Sequence, residues 1–141
     1  MKKVFLIIAL FFSISNLKAQ EIDLEDLTKK WKTDLVLMRP VLEKMLSERP
    51  DMRHLDEENR VLAIDTALEQ IAGNTIEYRK DGILLTVTSK GKTEGIWRYE
   101  SGQLFTQNKG KEEKKFTILE ITKSNLHLRS EDGKDLYMVS Q

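Results

Sequence analysis

From Thr75 onward the chain alternates apolar and polar residues with a period of two, and turn signals interrupt it about every ten residues. No other feature of the sequence constrains the fold as strongly. A period of two sends successive side chains to opposite faces of a strand, and short turns make consecutive strands antiparallel neighbours. The clearest unit is Gly95-Ile96-Trp97-Arg98-Tyr99, followed by Glu100-Ser101-Gly102 and Leu104. β-Branched and aromatic residues suit a half-buried pleated surface, and Gly102 is free to take the positive φ of a tight turn. Trp97 and Tyr99 share one face, with Ile96 and Arg98 on the other. On the next strand Leu104 and Thr106 share a face, and Gln103 and Phe105 take the opposite one.

The same logic places strands at 75–79 and 83–88, joined by Lys80-Asp81-Gly82. A polar loop is expected at 89–94 and a charged one at 108–115. The strand at 116–121 is apolar on both faces, with Phe116 and Ile118 on one side and Leu119 and Ile121 on the other. Strands at 126–129 and 136–139 flank the turn Glu131-Asp132-Gly133. His127, between Leu126 and Leu128, belongs to the outer face.

Before Thr75 the pattern differs. Residues 31–37, from Trp31 through Leu35-Val36-Leu37, read as a first strand. Pro40 suits the first turn of a helix, and Val41, Leu42, Met45 and Leu46 recur at helical spacing until Arg49-Pro50. Asp56 is an N-cap candidate for a second helix with Glu57 and Glu58 in its first turn. Val61, Ile64, Leu68 and Ile71 form its apolar stripe, and Gly73 stops it. The expected fold is mainly β. It is an antiparallel up-and-down meander of about eight strands, forming a barrel or a strongly curved sheet, with two helices inserted between strands 1 and 2.

The N-terminus reads as a secretory signal peptide. Met1-Lys2-Lys3 is its positive start, residues 4–12 are unbroken apolar, and Leu17-Lys18-Ala19 ends a more polar stretch. The apolar run is too short to span a bilayer. Cleavage is expected after Ala19, giving a signal peptide at 1–19 and a mature domain at 20–141. Removing Lys2, Lys3 and Lys18 from 23 basic residues leaves 20 against 23 acidic ones. With no basic cluster, nothing points to nucleic acid. The chain has no cysteine, which excludes disulfides, thiolate metal sites, a thiol nucleophile and a lipid-modified cysteine. The expectation is an exported protein, periplasmic or extracellular, with no stable membrane insertion after cleavage.

Lys30-Trp31-Lys32, the Gly95-Ile96-Trp97 start of a middle strand, and the closing Ile118-Leu119-Glu120-Ile121 and Leu126-His127-Leu128 strands resemble the short lipocalin-like (calycin-type) domains of exported bacterial proteins. The Lys-Ala-Gln at the cleavage region resembles Bacteroidetes-like secretion signals. The resemblance covers roughly residues 27–141. It departs at Lys29, where the lipocalin signature has glycine, and in the two inserted helices, which are similar to the lid of intracellular fatty-acid-binding proteins. It implies binding of a small apolar molecule, with Trp31 plugging the closed end of a barrel.

The expected wall of a ligand pocket is Trp97, Tyr99, Tyr78, Phe105 and Phe116, because such pockets are mostly apolar. The helix carrying Val61, Ile64 and Leu68 is the candidate lid. Arg98 and Arg129 would pair with a ligand carboxylate only if inward; solvated outward positions suit them better. Asp51, His54, Asp56, Glu57 and Glu58 are the one cluster of metal-ligand types, and a helix start explains them, so no metal and no cofactor is expected. The sequence lacks a Gly-x-Ser-x-Gly elbow, a His-Glu-x-x-His pair and a phosphate loop. Carboxylate pairs such as Glu77 with Glu94 or Glu120 stay open, but a non-enzymatic protein is expected. Its partner is a small apolar or amphipathic ligand or, alternatively, another envelope protein.

Overall fold

The computed structural model describes residues 22–141, so the expected signal peptide and the start of the mature domain at Gln20 lie outside the described residues. A one-turn helix, α1 (Leu24–Leu27), precedes the first strand, β1 (Lys30–Thr33). Two longer helices follow, α2 (Leu35–Glu48) and α3 (Glu57–Ile71), with a 3-10 turn at Pro50–Met52 between them. Seven strands complete the chain: β2 (Thr75–Tyr78), β3 (Ile83–Thr88), β4 (Gly91–Glu100), β5 (Gln103–Asn108), β6 (Lys114–Ile121), β7 (Asn125–Ser130) and β8 (Asp135–Ser140). Each strand is antiparallel to its neighbours, and β8 returns to pair with β1. The meander is therefore a closed barrel, with α2 and α3 between its first two strands.

Residues paired across antiparallel strands share a face, so the register separates inside from outside. Trp31 lies opposite Ile76 and Ser140, Tyr78 opposite Leu84, Tyr99 opposite Leu104, and Leu128 opposite Leu136. All of these face inward. The lower end of the barrel, where α1 and the β2–β3, β4–β5 and β6–β7 turns gather, is filled by Leu27, Trp31, Tyr78, Leu84, Leu104 and Leu126. α1 folds beneath that end. The Trp31 indole N–H donates to the Leu27 carbonyl at 3.0 Å, so the one polar atom of that side chain is satisfied. Towards the upper end, under α2 and α3, the inward positions change character. Thr33, Thr88, Thr93, Thr106 and Ser130 face in there, as their pairings with Met138, Gly91, Thr86, Trp97 and Phe116 require.

Several local expectations need correction. Leu35-Val36-Leu37 is helix, because the Asp34 side chain accepts from the N–H groups of Val36 at 3.1 Å and Leu37 at 3.2 Å and starts α2 there. Pro40 consequently sits inside α2 rather than in its first turn. The loop expected at 89–94 is a two-residue turn, and β4 already begins at Gly91. Gly95 within it is obligatory for close approach: a Cβ there would lie 2.3 Å from the Gln107 carbonyl oxygen of β5. In β6 the register shifts between Ile118 and Glu120. This bulge leaves Leu119 40% exposed and returns Ile121 to the inner side with Phe116 and Ile118, not to the opposite side.

α3 keeps its expected cap, with the Asp56 carboxylate accepting from Asn59 N–H at 2.8 Å. It packs on α2, and α2 packs on β8. Asp34 N–H donates to the Tyr137 carbonyl at 2.9 Å, and Met38 Sδ accepts from Tyr137 N–H at 3.4 Å. Between the helices Ile64 is buried and Arg39 pairs with Asp65. Val61, expected in the buried stripe, is 46% exposed, because α3 packs mainly on α2 and not on the sheet.

Candidate functional site

The upper end carries a recess of about 570 Å³ between β6, β7, β8 and α2. Its apolar wall is Met45 from α2, Phe116 from β6 and Leu136 from β8, with Ser130 beside them. Phe116 and Leu136 are inward-facing and lie against the buried core. The recess therefore sits on top of a filled barrel and opens to solvent.

Charged side chains ring it, and nearly all are tied down. Glu113 accepts from Arg98, whose guanidinium holds the Glu113 carboxyl below its ordinary value. Lys115 pairs with Glu131 at 3.7 Å. The Asp132 carboxyl is held down to about 2, first by the Ser130 hydroxyl and then by Lys134. Asp135 accepts from Arg129 at 2.9 Å and is bonded to His127 at 2.9 Å; Arg129, and secondly His127, depress its carboxyl. His127 is on the outer face, as expected, but stacks on Tyr137 with ring centroids 4.1 Å apart. Lys114, which also lines the recess, has no carboxylate within 4.0 Å among the described residues.

Of the five residues expected to line a pocket, four face the barrel interior. Tyr78 and Trp97 meet edge to face at 5.6 Å, and the Trp97 indole donates to the Arg79 carbonyl at 2.8 Å. Tyr99 packs beside them against the lower core. Burial pushes the Tyr78 phenol above its ordinary value. These three fill space at the lower end, and only Phe116 borders the upper recess. Phe105 requires correction: it pairs with Arg98 on the outer face, with the guanidinium carbon 4.1 Å from its ring centroid. Strand alternation forces this, since Leu104 and Thr106 take the inner positions of β5.

Met45, Lys114, Ser130 and Leu136 are wall residues that sequence reasoning missed. Lys114 stands two positions before Phe116, so its face was implied by β6 once that strand is extended backwards. The helical contribution comes from α2 through Met45, whereas the expected lid was α3. Arg98 and Arg129 point outward, each with carboxylate partners. The residues from Asp51 to Glu58 do not converge: Asp51 is bound by Arg49, and Asp56 caps α3. Among the described residues no group of three or more metal-ligand side chains is gathered, and no helix is long and apolar enough to cross a membrane.

No protein-family model and no curated protein sequence matches the chain. Among solved structures it is similar to a DUF4847 family protein from Bacteroides vulgatus ATCC 8482, with a TM-score of 0.54 over 81% of this chain and 92% of that one. The two are 13% identical, so the likeness is one of fold. The eight-stranded antiparallel barrel thus has a counterpart in a bacterial protein of known structure.

Proposed function

We propose that the protein is an exported, lipocalin-like binding protein that takes a small apolar or amphipathic ligand in the cell envelope and catalyses no reaction. One observation carries this: the barrel is packed solid at its lower end and recessed at its upper end, where Met45, Phe116 and Leu136 form an apolar wall. A recess of this size falls within the range of small-molecule sites; its three apolar side chains lie inside a rim of charged ones, which suits an amphipathic ligand better than a purely apolar one. The positive start and apolar run of residues 1–12 support export.

The test is native mass spectrometry of residues 20–141 purified without detergent from the original host. A discrete added mass that leaves on denaturation is the expected result. A clean apo mass, with no fluorescence change across a fatty-acid and isoprenoid panel, would overturn it. In that case a structural or partner-binding envelope protein takes its place. The exposed apolar side chains of the helical hairpin favour that alternative, Val36 at 81% and Leu62 at 62%.

A further inference from the structure

Lys114 is the one charged side chain at an inward-facing strand position among the described residues. Its β5 partner is Thr106, which is buried and lies opposite Trp97. Every other charged side chain lining the upper recess is in contact with a group of opposite charge. Lys114 alone has no such partner there. It stands two residues from Phe116 on the same face of β6, about 7 Å along the strand. A molecule reaching from the Lys114 ammonium across Phe116 to Leu136 and Met45 would meet one unpaired positive charge, then these three apolar side chains with Ser130 beside them, inside a rim of charges already paired with one another.

We propose that Lys114 anchors the anionic head of an amphiphile whose chain lies on Phe116, Leu136 and Met45. This rests on the ligand reading above and narrows it to a chemical class, a single oxyanion head on an apolar chain. Lys114 is exposed and its ammonium is hydrated in the free protein; an anionic head adds an ionic contact there that an uncharged head lacks, and a cationic one is repelled. A carboxylate and a phosphate monoester share the required chemistry, because the ammonium presents three donors as a compact point charge without the planar fork of arginine. The rim carboxylates do not compete for it, each being held by its own arginine, lysine or histidine.

Calorimetric titration of residues 20–141 with decanoate, decyl phosphate and 1-decanol tests this. At low salt at least one anion should bind about threefold to fivefold more tightly than the alcohol, as an ion pair at an exposed lysine allows. The tighter of the two anions identifies the head group. Lys114→Met should bring anion binding down to the level of decanol and leave decanol unchanged. Lys114→Arg should keep most of the preference, and Lys123→Met, which removes an exposed lysine from the β6–β7 turn at the opposite end of the barrel, should leave it intact. Raising the salt should weaken the anions only. Equal binding of anions and alcohol, or a preference that survives Lys114→Met, overturns the anchor while leaving the ligand reading in place. Failure of all three probes to bind overturns both.

Discussion

Trp31 donates its indole N–H to the carbonyl of Leu27, and both side chains are completely buried. The short helix α1 and the first strand thereby close the lower end of the barrel as one unit. Leu27→Ala should cost about 2–5 kcal/mol through lost burial and the cavity left behind. Trp31→Phe removes the indole donor, while the Leu27 carbonyl keeps the Lys29 N–H at 2.8 Å, and should cost about 0.5–1.5 kcal/mol for the lost hydrogen bond, with the smaller ring adding to it. Urea unfolding followed by circular dichroism measures both, and wild-type midpoints would show that α1 does not seal the core.

Gly95 and Gly73 should respond oppositely to the same substitution. Gly95→Ala drives a methyl into the Gln107 backbone and should destabilise by about 1–3 kcal/mol or more. Gly73 has open space around it, so Gly73→Ala should stay within about 0.5 kcal/mol of wild type. Thermal midpoints of the two variants decide this.

The bulge in β6 predicts a contrast between two neighbouring apolar residues. Ile121→Ala should cost about 2 kcal/mol, whereas Leu119→Ala should change stability by about 0.5 kcal/mol or less. Deleting Leu119 leaves Glu120 outward and Ile121 inward, so that variant should still fold cooperatively. Loss of the folded state on deletion would mean that the bulge itself is required.

Asp34→Ala removes the side chain that accepts from Val36 and Leu37, and should cost about 0.5–2 kcal/mol. Hydrogen exchange should show the loss first in the opening turn of α2. Uniform protection along the helix would argue that the cap is dispensable.

Arg129, and secondly His127, hold the Asp135 carboxyl below its ordinary value. A carboxyl depressed by folding contributes stability that is complete above its unfolded value and is lost as pH falls through the folded one. The advantage of wild type over Asp135→Asn should therefore be constant near neutrality and shrink below about pH 4. Urea midpoints at pH 7, 5 and 3 check it, and curves that stay parallel at acid pH would remove Asp135 from the account.

The barrel was legible because its determinants are local and repeated: alternation, Asp-Gly turns, and two helices with their own stripes and caps. The errors fall where a tertiary or single-residue effect overrides the local pattern. Leu35-Val36-Leu37 has the composition of a strand, and one capping carboxylate at Asp34 decides against it. The β6 bulge is invisible to a period-two reading, which sends Ile121 outward. The upper recess was missed because its wall comes from three distant segments, at Met45, Phe116 and Leu136. Lys114 was hidden within an apparently charged loop, since one lysine among many acquires meaning only once its face is known. The aromatic residues chosen for the wall were conspicuous because large rings fill cores, and Tyr78, Trp97 and Tyr99 do that at the other end.

Closing β1 against β8 also sets an order of events. Trp31 meets Ser140, roughly a hundred residues further along the chain, so this seam carries the largest loop-closure cost in the sheet. The β3–β4 and β4–β5 hairpins can form as soon as their turns are made. Trp31 and Leu27 must wait beside an unfinished wall until the last strand arrives. During synthesis the chain therefore spends seconds with its largest fully buried side chain unsheltered. Any factor that holds the nascent protein open should find its grip at the two ends of the sequence, not in the meander between them.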